Sequence, residues 1–121
     1  MADQPERRQI PRLSCHLPVR LSAGDPNAPV IETLSKDLSS QGIRCLSPVA
    51  FAPQSQIALE IILGRGQQPI ASLGTVVWCS PIAQTSHFSI GISLQSSKAN
   101  QELIQAHIDR LRKKSADSSP R

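Results

Sequence analysis

The sequence predicts a mainly β fold: a six-stranded antiparallel, Greek-key-like β-barrel followed by one C-terminal α-helix. Three observations carry this prediction. Short apolar stretches alternate with polar residues at period two, turn-forming residues separate them at near-regular spacing, and the last segment changes to helical periodicity. With 121 residues and 39% hydrophobic composition, the chain can bury one modest core, so one domain is expected.

The N-terminal segment 1–12 is polar, lacks periodicity and contains two prolines, so it is expected to be a flexible arm. Its three arginines, Arg7, Arg8 and Arg12, outnumber its two acidic residues. The barrel is expected over 13–97, where four basic residues balance four acidic ones. The net charge of +4 therefore lies at the two ends of the chain.

The first strands are predicted around two turns. In HLPVRLS, Leu17, Val19 and Leu21 alternate with polar neighbours, and GDPNAP then supplies the residues that turns prefer. VIETLSKDL is the second strand, and DLSSQG leads directly into IRCLS. The two strands are therefore expected to form a hairpin or a bulged corner around 37–42.

The later strands repeat the same pattern. SQIALEIIL and HFSIGISLQ each place four apolar residues on one face, namely Ile57, Leu59, Ile61 and Leu63 in the first and Phe88, Ile90, Ile92 and Leu94 in the second. Between them, IASLGTVVWCS contains Gly74, and a glycine inside a strand often marks a bulge or a sharp bend. Closure of these strands into a barrel would remove exposed edges.

The segment 98–114 is predicted to be a helix that packs across an open end of the barrel. Ser97 or Asn100 could cap its N-terminus. Its apolar residues are expected on one face: Leu103, Ile104, Ile108 and Leu111. The tail 115–121 is expected to be disordered by composition.

Nothing in the sequence points to catalysis or to a metal site. His16, His87 and His107 lie in different predicted elements, without a recognisable spacing to a nucleophile or an acid. Cys15 and His16 are adjacent on a predicted strand, so their side chains point to opposite faces. No phosphate-binding glycine loop, dinucleotide fingerprint or zinc-protease motif is present. The chain is therefore expected to be neither an enzyme nor a cofactor or metal protein.

The sequence also predicts a cytoplasmic location. The three cysteines are widely spaced and form no C-x-x-C pair, so reduced thiols are expected. No apolar run approaches the ~20 residues needed to span a bilayer, and the N-terminal residues are polar where a signal peptide would be apolar. Membrane insertion is not expected.

Two short motifs could bind a ligand. In Arg7-Arg8-Gln-Ile-Pro-Arg12, the guanidinium groups could donate paired hydrogen bonds to phosphate oxygens or to guanine O6 and N7. In Asp37-Leu-Ser39-Ser-Gln-Gly42, the carboxylate could accept from guanine N1 and N2, the hydroxyl could donate or accept, and the glycine permits a close approach. Alone, the first could be a solvated basic tail and the second an ordinary turn; together they are expected by chance in about one such chain in a hundred.

With these motifs the chain resembles the PilZ domain, a bacterial receptor module for cyclic di-GMP. The resemblance covers residues 7 to about 95 and rests on RRQIPR, DLSSQG, GTVVW and IGISL. It implies that Arg8 and Arg12, assisted by Arg7, clamp the ligand. It also implies an opposing wall on the barrel surface, formed by Asp37, Ser39 and Gly42.

The resemblance leaves the role of Trp78 open. This residue is the only Trp of the chain, and it falls where members of the family often keep an aromatic residue beside the ligand. A Trp that plugs the barrel core is an equally good interpretation, because a lone Trp in a small domain is usually well buried.

The expected function is that of a cyclic di-GMP receptor or adaptor. The ligand would order the arm, and the ordered arm would signal to an unidentified effector protein. Two alternatives remain: an OB-like barrel that binds single-stranded nucleic acid, and a PilZ-like protein-interaction domain that binds no nucleotide. Nucleic acid is not the expected partner, since such platforms stack bases on several aromatic residues and this chain has three.

Overall fold

The computed structural model describes residues 12–23, 29–64 and 66–117. Antiparallel strands and one helix account for most of them. The elements in chain order are β1 (Arg12–Ser14), β2 (Pro18–Ala23), β3 (Ile31–Ser39), β4 (Gly42–Ser47), β5 (Gln56–Ile61), β6 (Ile70–Pro81), β7 (Phe88–Gln95) and α1 (Lys98–Asp117).

The strands close into a barrel. The order of hydrogen-bonded neighbours is β1-β3-β2-β5-β6-β7-β4, and β4 also pairs with β3. The strands β1 and β2 lie one after the other along the same edge of β3, joined there by Cys15 N–H to Lys36 O and by Ser35 N–H to Leu17 O. They therefore occupy one strand position, and the predicted six-stranded antiparallel barrel with a C-terminal helix is confirmed.

The barrel interior is filled by the residues that the period-two pattern selected. The inward faces of β5 and β7 carry Ile57, Leu59, Ile61, Ile90 and Ile92, all less than 4% exposed. Aliphatic side chains from every side of the barrel and from the helix join them in one core. Burial of this apolar surface is the main stabilising contribution to a domain of this size.

Gly74 differs from the prediction, because it does not mark a bulge. It pairs in regular register with Ile57 on one side and Leu94 on the other, and the register of β6 shifts only between Val76 and Trp78. Gly74 faces the interior, where a Cβ atom would stand 2.6 Å from Ile92 Cγ2. Close packing, not bending, is the reason for a glycine at this position.

The helix begins as predicted and buries a slightly different face. Ser97 is the N-cap: its Oγ accepts from the N–H of Asn100 at 3.1 Å. Ile104 and Ile108 are fully buried, but Leu103 is 54% exposed, so its predicted place on the packed face is wrong. His107 is buried instead, because α1 contacts β1 and β3 along the side that His107 shares with the two isoleucines.

The helix runs to Asp117, into the segment 115–121 for which disorder was expected. Within the ranges given above, no helix is both long and apolar enough to cross a membrane.

Candidate ligand-binding site

A bulge in β3 turns Asp37 to the outside of the barrel. Ser35 pairs with Cys45 and faces the interior, and the next pair of the ladder is Asp37 with Arg44, which leaves Lys36 as the extra residue. Strict alternation from Ser35 would have pointed Asp37 inward. The bulge reverses this phase, so that the carboxylate lies on the outer face beside Arg44.

Five residues form one line across the outer face, each opposite the next on the neighbouring strand. They follow the sheet from β1 through β3, β4 and β7 to β6, in the order Ser14, Asp37, Arg44, Gly91 and Trp78. We call this line the outer row. Neighbouring strands lie about 4.8 Å apart, so each residue of the outer row is roughly one strand spacing from the next, and the row curves with the barrel wall.

The centre of the outer row is an ion pair. Arg44 Nη2 lies 2.7 Å from Asp37 Oδ2; the Asp37 side chain is 10% exposed and that of Arg44 is 43% exposed. Arg44 Nε is buried and has no hydrogen-bond partner among the described residues. Arg44 is not among the site residues predicted from the sequence, because only the register across the bulge places it beside Asp37.

Ser39 and Gly42 form the tight connection between β3 and β4. Ser39 Oγ accepts from the N–H of Gly42 at 3.1 Å and from that of Gln41 at 3.3 Å, and the Ser39 side chain is buried. The Ser39 hydroxyl thus stabilises the turn by accepting hydrogen bonds from two of its backbone N–H groups. Gly42 does not use the positive φ that glycine allows; among the described glycines only Gly66 does.

Trp78 lies on the outer face, and the structure decides against a core position. The register shift between Val76 and Trp78 directs the indole outward, where Trp78 is 40% exposed. Gly91 lies directly beneath it: a Cβ atom on Gly91 would overlap indole atoms Nε1 and Cε2. A glycine is needed there because the ring occupies the space that any side chain would take.

The end of the predicted arm reaches this surface. Arg12 opens β1 instead of belonging to a free arm, and its backbone lies opposite Ser39, at the beginning of the turn. Ser14, two residues further on, lies opposite Asp37. Arg7 and Arg8 lie outside the described residues. The structure therefore brings the backbone of one predicted arginine to the motif of Asp37, Ser39 and Gly42.

Histidines, cysteines and acidic residues are the side chains that could bind a metal ion or act as nucleophiles. In the described part of the chain, no group of three or more His, Cys, Asp or Glu residues could hold a metal ion. Burial raises the pKa of the Cys15 thiol, and it raises that of Cys45 to about 12, with the Asp37 charge adding to the effect at both. Such thiols stay protonated at neutral pH and are poor nucleophiles.

A separate groove of about 650 Å³ lies on the outer face of β2, β5 and β6, near the start of α1. Arg20, Val30, Leu73 and Asn100 are among the residues that line it. None of the residues of the outer row lines this groove.

Comparison with known proteins identifies relatives of this fold. A model of the PilZ domain family matches residues 6–110. No curated protein matches the sequence. Among solved structures, the PilZ domain with c-di-GMP of YcgR from Escherichia coli has 17% identity and a TM-score of 0.68, covering 93% of this chain and 99% of that one.

Two longer proteins are also similar. The Bacillus subtilis inhibitor of motility has 18% identity and a TM-score of 0.72, and the K. pneumonia MrkH–c-di-GMP complex has 14% identity and a TM-score of 0.74. Each match covers 93% of this chain and 56% of the other, so this chain spans little more than half of their length. At these identities the similarity shows a shared fold.

Proposed function

Because the chain belongs to the PilZ domain family, we propose that it is a cytoplasmic, non-catalytic receptor for cyclic di-GMP that acts through a partner protein. The observation that carries this proposal is the pairing of Arg12 with Ser39. It joins the arginine-bearing segment to the turn of the second motif, next to the outer row. Two structural relatives, from Escherichia coli and K. pneumonia, are complexes with this ligand.

The outer row offers chemistry that suits a guanine dinucleotide. Cyclic di-GMP carries two phosphates and two guanines. Arginines donate paired hydrogen bonds to phosphate oxygens and to O6 and N7 of guanine. Asp37 can accept from guanine N1 and N2. The half-exposed indole of Trp78 offers an aromatic face on which a base can stack.

Arg8 and Arg12, with Arg7, are proposed to close over a ligand that rests on this surface. Fixing the backbone of the arm costs about 1–2 kcal/mol per residue, so the charge-assisted contacts must exceed that cost. The bound arm would present a new surface beside the barrel, and an effector protein that recognises this surface would complete the signal.

Isothermal titration calorimetry with cyclic di-GMP tests the proposal. The wild-type protein should bind, and Arg8→Ala and Arg12→Ala should stay folded and lose binding. Arg20→Ala is the matched control, because Arg20 lies on the outer face of β2 and pairs with Glu60 at 3.1 Å, away from the outer row. Wild-type affinity in Arg8→Ala or Arg12→Ala would contradict the clamp.

A parallel titration with a single-stranded oligonucleotide separates the alternatives. Oligonucleotide binding without cyclic di-GMP binding would instead indicate a nucleic-acid barrel. Binding of neither would indicate a protein-interaction domain of the same fold.

A further inference from the structure

We propose that Arg44 is a fourth ligand-contacting arginine, whose guanidinium donates to the O6 and N7 acceptors of one guanine. This inference rests on the proposed function and adds to it a residue outside both motifs of the sequence. The motif arginines lie in or near the N-terminal arm, whereas Arg44 belongs to strand β4 of the barrel wall.

The position of Arg44 supports this role. It stands at the middle of the outer row, with Asp37 on one side and Gly91 on the other, and the indole of Trp78 covers Gly91. A base that stacks on the indole would therefore have its edge about one strand spacing from Arg44. Because 43% of the Arg44 side chain is exposed, a ligand on the outer row can reach it.

The hydrogen bonds of Arg44 also leave donors for a ligand. Arg44 Nη2 lies 2.7 Å from Asp37 Oδ2, so one terminal nitrogen of the guanidinium is paired with the carboxylate. Nε is buried without an acceptor in the part of the chain that the structure describes. The buried Nε is not open to a ligand, but a guanidinium carries five N–H groups, and those on its terminal nitrogens can donate to a ligand on the outer face, where 43% of the side chain is exposed.

Arg20 shows what a purely structural strand arginine looks like in the same barrel. Its Nη1 lies 3.1 Å from Glu60 Oε1 and its Nε lies 3.8 Å from Glu32 Oε2. Carboxylates on both neighbouring strands therefore form ion pairs with this guanidinium. Its side chain is 48% exposed, close to the value for Arg44. Among the described residues, Arg44 has one carboxylate contact where Arg20 has two, and it lies beside the aromatic residue.

The test compares three variants, Arg44→Ala, Arg44→Lys and the control Arg20→Ala, in calorimetric titrations with cyclic di-GMP. Arg44→Ala should weaken binding at least tenfold relative to Arg20→Ala. Arg44→Lys should also weaken it at least tenfold, since lysine keeps the charge but cannot present two parallel donors. Wild-type affinity in Arg44→Lys, or equal affinity in Arg44→Ala and Arg20→Ala, would overturn the inference.

The melting temperature and the binding of the wild-type protein distinguish a ligand contact of Arg44 from a purely structural role. If Arg44 only held the barrel together, Arg44→Ala would lower the melting temperature and leave the affinity of the folded protein unchanged, and this result too would overturn the inference. Absence of binding by the wild-type protein would mean that the proposed function is wrong, and the inference with it. Wild-type binding that Arg44→Ala retains would reject the role of Arg44 alone.

Discussion

The indole of Trp78 lies over Gly91, its cross-strand neighbour on β7, and occupies the place of the side chain that Gly91 lacks. The contact fixes the ring at one end of the outer row, on the outer face of the barrel. It makes Gly91 part of the candidate site, although glycine itself has no group that could bind a ligand.

Replacement of Gly91 by alanine should therefore displace the indole. The overlapping atoms belong to the outer part of the Trp78 side chain, which can move, so we expect a small loss of stability and about a tenfold loss of cyclic di-GMP affinity, or ~1.4 kcal/mol. Trp78 is the only Trp, so its fluorescence emission should shift to longer wavelength. Gly64→Ala is the control, since a Cβ there meets nothing closer than 3.8 Å. Unchanged emission and affinity in Gly91→Ala would contradict the assigned contact.

The elements of the barrel were predictable because alternation within one strand is local information. The positions of Asp37 and Trp78 were not, because each follows a register shift, and a shift is set by pairing with the strands on both sides. Arg44 was not predicted for the same reason, because it pairs with Asp37 only through the register across the bulge.

The helix illustrates a second limit of the sequence. Leu103 and His107 are four residues apart and lie on the same side of the buried Ile104, about 100° and about 60° from it around the helix axis. Apolarity alone favours Leu103. The structure buries His107 and exposes Leu103, because His107 lies closer to the centre of the face that carries Ile104 and Ile108 and packs on the barrel. How far the packed face extends around the helix depends on the barrel beneath it, which the pattern of apolar residues does not specify.

Gly74→Ala should behave differently from Gly91→Ala. A Cβ at Gly74 would stand 2.6 Å from Ile92 Cγ2, 3.0 Å from Leu59 Cδ1 and 3.1 Å from the backbone oxygen of Ser93. Backbone and packed core atoms cannot give way easily, so we expect a loss of about 1–3 kcal/mol in the free energy of unfolding. Urea denaturation measures this loss. An unchanged midpoint would show that the barrel can widen at this point.

Ser35→Ala should loosen the connection between β1 and β2. Ser35 Oγ donates to the Cys15 oxygen at 2.7 Å and accepts from the N–H of Leu17 at 2.9 Å, so one hydroxyl closes the gap between the two strands. Its removal leaves both groups without that partner, at a cost of about 1–3 kcal/mol. Amide hydrogen exchange should accelerate at Leu17 and in β1. Ser80→Ala, at an exposed position on β6, is the control; equal exchange in both variants would contradict this role.

The thiol of Cys45 should be the last of the three to react. Burial, assisted by the Asp37 charge, raises its pKa from the ordinary 9.0 to about 12, so it remains protonated at pH 8. Iodoacetamide should modify the half-buried Cys79 first and Cys45 only on unfolding. Mass spectrometry of the alkylated peptides measures the order, and in urea the three should react alike.

The same shift makes stability depend on alkaline pH. Because the folded state keeps the Cys45 proton that the unfolded state loses, this contribution is constant below pH 9 and falls as the pH rises from 9 towards 12. Cys45→Ala should lack this fall. Parallel alkaline unfolding curves for wild type and variant would contradict the assignment.

His107 should make the fold sensitive to acid. It lies on the face of α1 that packs on the barrel. Its Nε2 is buried without a hydrogen-bond partner among the described residues, and its Nδ1 lies 3.3 Å from Arg110 Nη2. Burial, and secondarily the positive charge of Arg110, lowers the pKa of His107 below its ordinary 6.5. The unfolded state therefore takes up a proton at a higher pH than the folded state does. The contribution is fully present above pH 6.5 and is lost as the pH falls from there towards the folded-state pKa.

His107→Leu removes this titration and fills the same buried space with an apolar side chain. We expect its melting temperature to fall less than that of the wild type between pH 7 and pH 5. At pH 7 its melting temperature should match or exceed that of the wild type, because an apolar side chain replaces a buried Nε2 that has no hydrogen-bond partner in the described part of the chain. His16→Leu, which removes an exposed histidine from the segment between β1 and β2, is the control. Melting temperatures that fall in parallel for wild type and His107→Leu would show that His107 is not the acid-sensitive group at the contact between helix and barrel.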